Sequence, residues 1–282
     1  MQTQHSGLQV LPIELLYEVQ LYALSPSLPH LSHFFLDIFK ETPISFRVQY
    51  LLASCTSTII PLHTADILSK ALRYPICKPP VLDQLFARIE SLTQSGWPLI
   101  IPHVPKLKVR AICELPRRLF RALAPRKDGR EWRMTDEPFP FLQYILNKGT
   151  SFPALDPNSH QGYALTRAVH ARHTPLIRLL LQMGASPAHK EGMAVRVAIK
   201  QRNLKMVKLL VERDGSLVLP GLTKGEVQKP QKGKRRRLED RVEVDQSMLK
   251  LAVKCNAGDI IDYLAWEKGV VPDMQTLTRI RK

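Results

Sequence analysis

Three stretches of the chain share one internal register, and this self-similarity constrains the fold more than any other feature. They are ALTRAVHARHTPLIRLLLQMGASP from Ala164, AVRVAIKQRNLKMVKLLVERDG from Ala194 and MLKLAVKCNAGDIIDYLAWEKGVVP from Met248. In each, an alanine is followed twelve residues later by a leucine: Ala168 and Leu180, Ala198 and Leu210, Ala252 and Leu264. A small residue on one helix facing an apolar row on the next allows close helix–helix approach. The pattern predicts helix pairs that bury their apolar faces against neighbouring pairs.

Proline supplies the punctuation such a chain needs. Of the 22 prolines, Pro26, Pro29, Pro43, Pro75, Pro79, Pro80, Pro175 and Pro187 fall between amphipathic runs, marking many short helices. Strand-like alternation over six or more residues is hard to find, so an extended sheet is not expected. With 44% apolar and 23% charged residues in 282, the composition is that of a folded protein. The four cysteines, Cys55, Cys77, Cys113 and Cys255, are too few and too scattered for a disulfide framework. They read as reduced, mostly buried thiols, which places the chain in cytoplasm or nucleus. MQTQHSGLQV at the start lacks a charged leader and apolar core, and apolar stretches such as 98–104 are short and broken by proline, so neither a secretion signal nor a membrane span is expected.

Lysine and arginine outnumber aspartate and glutamate by 41 to 25, a formal charge of +16, which attracts nucleic acid, acidic proteins or anionic lipid alike. From Leu11 the sequence reads LPIELLYEVQLYALSPSLPHLSHFFLDIFKETPISF. Leu15, Leu16, Val19 and Tyr22 recur at helical spacing behind Pro12, and Leu31, Phe34, Phe35, Ile38 and Phe39 form a second run that stops before Pro43. Three helices in about forty residues are too few to close a core alone, so their apolar faces call for a partner or the next domain.

This segment resembles an F-box. Leu11-Pro12 with Glu14-Leu15-Leu16 match the family's opening L-P-x-E-L-L. Leu31-Ser32, Phe35 and Ile38 take the places of its V-S-x-x-W-x-x-L helix, and Pro43 with Phe46 those of its closing D-P-x-L-W. Phe35 and Phe46 stand where the family has tryptophans, and Thr42 where it has aspartate. The resemblance implies docking to a Skp-type adaptor of a cullin-RING ubiquitin ligase through Leu11, Pro12, Leu15, Leu16, Leu31, Phe35, Ile38, Pro43 and Phe46. The competing reading makes these helices a cap on the repeat stack.

Each repeated unit resembles an ankyrin repeat, most clearly where Leu179-Leu180-Leu181-Gln182-Met183-Gly184-Ala185-Ser186-Pro187 matches that family's L-L-L-x-x-G-A-x-P helix end, with Gly184 as a left-handed cap. A half-unit is visible at Phe141–Gly149 and a vaguer helix pair at Ile67–Ile89. The family's T-P-L-H turn is replaced by Tyr163-Ala164-Leu165-Thr166, Met193-Ala194-Val195-Arg196 and Ser247-Met248-Leu249-Lys250, so its Thr–His hydrogen bonds are lost and weak units lower the whole array. The expected chain is all-α: a disordered tail over 1–10, a three-helix F-box-like segment over 11–50, degenerate ankyrin-like helical repeats over 62–150, two repeats over 161–220, a basic inserted loop over 221–243 and a terminal repeat over 245–282, the last parts forming a helical repeat solenoid.

Two residues before and two after the marker alanines stand Thr166 and His170, Arg196 and Lys200, Lys250 and Lys254, pairs four apart and so on one helical face. His170, Arg196, Lys200, Lys250 and Lys254 therefore read either as a site for an acidic or phosphorylated protein client or as a solvated face of a basic protein. The inserted loop contains Lys232, Lys234, Arg235, Arg236 and Arg237, readable as a nuclear import signal or as a solvated loop. A further basic run from Lys106 to Arg133 includes Phe120 and Trp132 but lacks the aromatic patterning of nucleic-acid modules, so nucleic acid is not the expected partner. No phosphate cradle, nucleophile elbow or zinc helix is present. His170 and His173 form H-x-x-H without a third ligand nearby and read as ordinary helix-surface residues, and Asp156, Asp259 and Asp262 as turn or surface carboxylates. A non-enzymatic adaptor with no cofactor and no metal, linking a client to a ubiquitin ligase or serving as an ankyrin-type scaffold, is the functional expectation.

Overall fold

A computed structural model describes residues 7–56, 64–94, 112–149, 152–213 and 240–280. Among these the chain is mostly helical, with fourteen α-helices and two paired three-residue strands, β1 (Ile112–Glu114) and β2 (Ala154–Asp156). It divides into two compact units, residues 1–113 with 143–154 and residues 114–142 with 155–282.

The first unit opens with α1 (Ile13–Ala23), α2 (His33–Lys40) and α3 (Ile44–Thr56). Pro12, in extended backbone, is the N-cap of α1, and Leu24 ends the helix at φ 47° with its N–H on the Gln20 carbonyl, 3.0 Å away. Ser32 caps α2 by accepting from the Phe35 N–H. Before α3, Thr42 Oγ1 donates to the Phe39 carbonyl at 3.0 Å and accepts from Arg47 Nε at 3.0 Å, so this threonine fastens the α2–α3 corner. Gly7–Val10 form a 3-10 turn closed by the Leu11 N–H on the Leu8 carbonyl, which corrects the expectation of a disordered tail as far as residues 7–10.

Leu16, Leu28, Phe35 and Phe39 make a small core here, with the Tyr17 and Phe46 rings at its margin, 4.8 Å apart and tilted by 38°. The segment does not end at residue 50. α3 runs on to Thr56 and buries Val48, Leu51 and Cys55, against which α4 (Thr64–Ala71) and α5 (Pro79–Gln94) both pack. Within the span expected to hold degenerate repeats, 62–150, α4 and α5 do not form a helix pair like those of the second unit: both find their principal partner in α3, because its buried face is long enough to be shared by both. Burial pushes the Cys55 thiol up to about 11, consistent with an inert reduced cysteine.

The second unit contains α6 (Arg118–Arg121) and three helix pairs: α8 (Ser159–His170) with α9 (Thr174–Gln182), α10 (His189–Lys200) with α11 (Leu204–Val211), and α12 (Gln246–Lys254) with α13 (Gly258–Asp262). α7 (Phe139–Asn147) contributes Phe139 and Leu142 to its core, and α14 (Met274–Ile280) follows the last pair. All six marker residues, Ala168, Ala198, Ala252, Leu180, Leu210 and Leu264, are 0% exposed. The first helices pack on one another in sequence, α8 on α10 and α10 on α12, as their small residues permit.

Turn geometry repeats along with composition. Arg172, Arg202 and Asn256 each end a first helix with φ of 60°, 53° and 50°. The next residue in each case, His173, Asn203 or Ala257, donates its N–H to the carbonyl of the marker alanine at 3.0–3.2 Å, the Schellman closure with a non-glycine left-handed residue. Gly184 closes α9 in the same way at φ 92°, as expected. Within the first turn of α8 and of α10 the backbone makes a three-residue left-handed kink ending in glycine, His160-Gln161-Gly162 and Lys190-Glu191-Gly192. A Cβ on Gly162 would lie 3.1 Å from the His189 side chain of the next pair, and one on Gly192 would meet the Met248 methyl. Glycine therefore serves both the dihedral and the approach of successive pairs.

The third pair carries one extra residue. Tyr263–Glu267 form a π-turn with the Lys268 N–H on the Tyr263 carbonyl at 3.1 Å. Leu264 to Gly269 is five residues where Leu180 to Gly184 is four, and the π-turn absorbs the difference.

Candidate ligand groove in the second unit

The long insertion between the second and third pairs leaves their packing intact because its ends are tied together. The Arg241 N–H donates to the Val211 carbonyl at 2.7 Å and its Nε to the Glu212 carbonyl at 3.1 Å. Lys268 Nζ bridges Asp240 at 2.9 Å and Glu212 at 3.3 Å, and the buried Tyr263 hydroxyl donates to Glu212 at 3.0 Å. Burial first, then the Glu212 carboxylate, hold that phenol protonated. Asp240 and Arg241, assigned by sequence to the loop, belong instead to this clamp. Lys232, Lys234, Arg235, Arg236 and Arg237 lie outside the described residues, as do 106–110 of the other basic run.

With α10 and α12 held side by side, Arg196, Lys200, Lys250 and Lys254 line one groove of about 420 Å³. Its apolar wall comes from Met193, Leu251 and Val253, and its far side from Gln275 and Thr276 of α14. Four of the five client residues expected from spacing are thus together. The fifth, His170, is exposed at the same position of α8, and its carbonyl accepts from Gln201 Nε2 at 2.9 Å.

The four cations are not equivalent. Arg196 Nη2 donates to Ser247 Oγ at 2.8 Å and lies 3.3 Å from Glu191 and 3.8 Å from Asp245. Lys250 Nζ lies 2.9 Å from Asp273. Each thus reaches the carboxylate that caps the next first helix: Asp245 accepts from the Met248 N–H at 2.8 Å, and Asp273 from the Thr276 N–H at 2.9 Å. The Thr276 hydroxyl also donates to Asp273. Hydrogen bonds from Thr276, followed by the Lys250 ammonium, bring the Asp273 carboxyl down to about 2. Lys200 and Lys254 are exposed and make no ion pair among the described residues. Among the described residues the stripe read from spacing is accordingly half structural, stitching neighbouring pairs, and half without an ion pair.

Asp273 escaped the sequence reading. Its signal was present as Asp273-x-x-Thr276-Leu277, parallel to Asp245-x-x-Met248-Leu249, an N-cap spacing.

His173 is corrected outright. It is 0% exposed rather than on a helix surface. Its ring stacks on Trp132 at 4.8 Å and 15°, with Phe139 at 6.5 Å on a parallel plane. Nδ1 accepts from the Leu176 N–H at 3.2 Å as the N-cap of α9, while Nε2 is buried with no hydrogen-bond partner among the described residues. Burial lowers its pKa, with Asp136 opposing. Trp132 is itself fixed by donation to the Ala171 carbonyl at 2.8 Å and by Arg126 4.1 Å over its ring, and Arg126 pairs with Asp136 at 3.0 Å. Part of the basic run is therefore spent on packing, as is Arg117, 5.6 Å over Tyr163. Among the described residues no group of three or more metal-ligating side chains converges, and no helix is long and apolar enough to cross a membrane.

In the first unit, the nine expected docking residues separate. Leu16 and Phe35 are core, because α1 and α2 turn them onto Leu28 and Phe39. Leu11, Ile38 and Phe46 are half-buried against that core. Pro12, Leu15, Leu31 and Pro43 are exposed, Leu31 at 66%, and Ile13, Phe34 and Leu36 are exposed with them.

Comparison with protein-family models, curated proteins and solved structures finds no match to this chain.

Proposed function

We propose that the chain is a non-enzymatic protein–protein interaction adaptor whose groove between α10 and α12 holds an anionic segment of a client protein. One observation carries this reading: cations at the same position of successive first helices line a single groove, and two of them, Lys200 and Lys254, have no carboxylate partner among the described residues. Like-signed charge along a concavity concentrates field toward an anionic partner. The reading extends to the N-terminal helices, which resemble an F-box and would dock a Skp-type adaptor of a cullin ubiquitin ligase, placing the client for modification in nucleus or cytoplasm. Leu15 and Leu31, at 43% and 66% exposure, support it, since large apolar side chains in water are what such a docking face would offer.

A second reading, an ankyrin-type scaffold or nuclear regulator without a ligase link, is favoured by α3. It packs against both α4 and α5, as in a segment whose first duty is to its own unit.

Co-purification of a Skp-type adaptor with the intact chain and with a Leu15→Asp, Leu31→Asp variant separates the two. Binding present in the intact chain and lost in the variant supports the ligase link, and absence of the adaptor from both supports the scaffold.

A further inference from the structure

Resting on the reading of the groove as a client site, we infer that its ligand is an extended acidic peptide bearing a carboxylate at every third residue, read by Lys200, Lys254 and His170. The geometry comes from the helix pairs. Arg196 and Lys250 are engaged by Asp245 and Asp273, which leaves Lys200 and Lys254 as the groove's two cations with no ion pair among the described residues. His170 holds the same position on α8, two residues after Ala168. The three basic groups therefore recur once per pair, at the separation of packed helices, about 8–10 Å.

A polyproline-type chain rises about 3.1 Å per residue with three residues per turn, so its i, i+3 and i+6 side chains share a face about 9.3 Å apart. A β-strand presents same-face side chains about 6.6–6.8 Å apart and falls out of step within two repeats. Between the lysines the wall is Leu251 and Val253, suited to apolar residues at the two intervening positions. A phosphate dianion is best held by a bidentate guanidinium, and the groove's Arg196 is already committed to Ser247 and carboxylates. Carboxylates at regular spacing suit two separate ammonium groups better.

The test uses the intact chain and fluorescein-labelled nonapeptides followed by anisotropy. One carries Glu-Pro-Ala three times over, a second the same composition with its three glutamates adjacent, and a third one phosphoserine in a neutral sequence. The spaced peptide is expected to bind several-fold tighter than the other two. Lys200→Ala with Lys254→Ala should weaken it by about three- to tenfold, in keeping with exposed ion pairs, while Lys205→Ala on the exposed face of α11 leaves it unchanged. Equal affinity for both acidic peptides, still lost in the double variant, overturns the spacing while sustaining the groove. Preference for phosphoserine overturns the acidic-peptide assignment. Binding insensitive to Lys200 and Lys254, or no binding, overturns both this inference and the client site.

Discussion

The Lys250 ammonium lies 2.9 Å from the Asp273 carboxylate and so joins α12 to the cap of α14, just as Arg196 reaches Asp245 at 3.8 Å across the preceding junction. One carboxylate in each case caps a helix and meets the cation of the pair before it. Stacking and helix initiation are coupled through a single side chain.

Asp273 should titrate with a midpoint of about 2 in the folded chain, against about 3.9 unfolded. A carboxyl lowered on folding contributes stability that is present above the unfolded value and is lost as pH falls toward the folded one. Carbon-detected NMR of the carboxyl checks the midpoint. Asp273→Ala should speed amide exchange in α14 ahead of that in α12, and equal protection in both proteins would refute the coupling.

His173 predicts a second pH dependence of opposite origin. Its pKa is lowered from 6.5 on folding, so the unfolded chain binds the proton more readily. Stability is complete above about pH 6.5 and declines as pH falls through that value, because a protonated Nδ1 can no longer accept from Leu176. Asn203 caps α11 in the equivalent place, accepting from the Met206 N–H at 3.1 Å. The melting temperature of the native chain should fall between pH 7.5 and 5.5, while His173→Asn, with a cap that does not titrate, should show a much flatter profile over the same range.

Leu210 is wholly buried between neighbouring pairs. Leu210→Ala should cost about 2–5 kcal/mol in denaturant unfolding, and Ala198→Leu about 1–3 kcal/mol through overpacking of the α10 interface. A cost below about 0.5 kcal/mol for both would mean that the pairs do not pack as described.

Leu16 and Leu31 separate stability from docking. Leu16→Ala should destabilise the first unit by about 2–5 kcal/mol, whereas Leu31→Ala, 66% exposed, should stay within about 0.5 kcal/mol. Equal losses would place Leu31 in the core and remove it from any docking face.

Backbone strain gives a further comparison. Gly184→Ala meets open space but keeps φ at 92°, and Gly162→Ala adds contact with His189 to φ 70°. Left-handed backbone alone costs roughly 1–2 kcal/mol for an alanine, so calorimetry should find Gly162→Ala the more damaging of the two.

Helices, pairs and their register were legible because they depend on short-range periodicity. Ala168 to Leu180 is one turn-and-a-pair of local structure, and proline and Gly184 mark its ends wherever the chain folds. The groove was half legible for the same reason: residues spaced by the repeat must appear at the same place on successive first helices. Which of them are engaged was not legible, because Lys250 meets a carboxylate 23 residues away in sequence and Arg196, besides its near neighbour Glu191, reaches Asp245 49 residues away. His173 shows the limit most plainly. Its place in the chain marks a helix start, but its burial comes from Trp132 and Phe139, contributed by segments that local periodicity cannot bring near. Leu16 and Phe35 follow the same logic, since an amphipathic helix declares an apolar face without declaring what covers it. Sequence alone determined the elements and their repeat; only tertiary packing, which sets desolvation and charge pairing over long separations, decided which side chains are core, which are stitching and which are left for a partner.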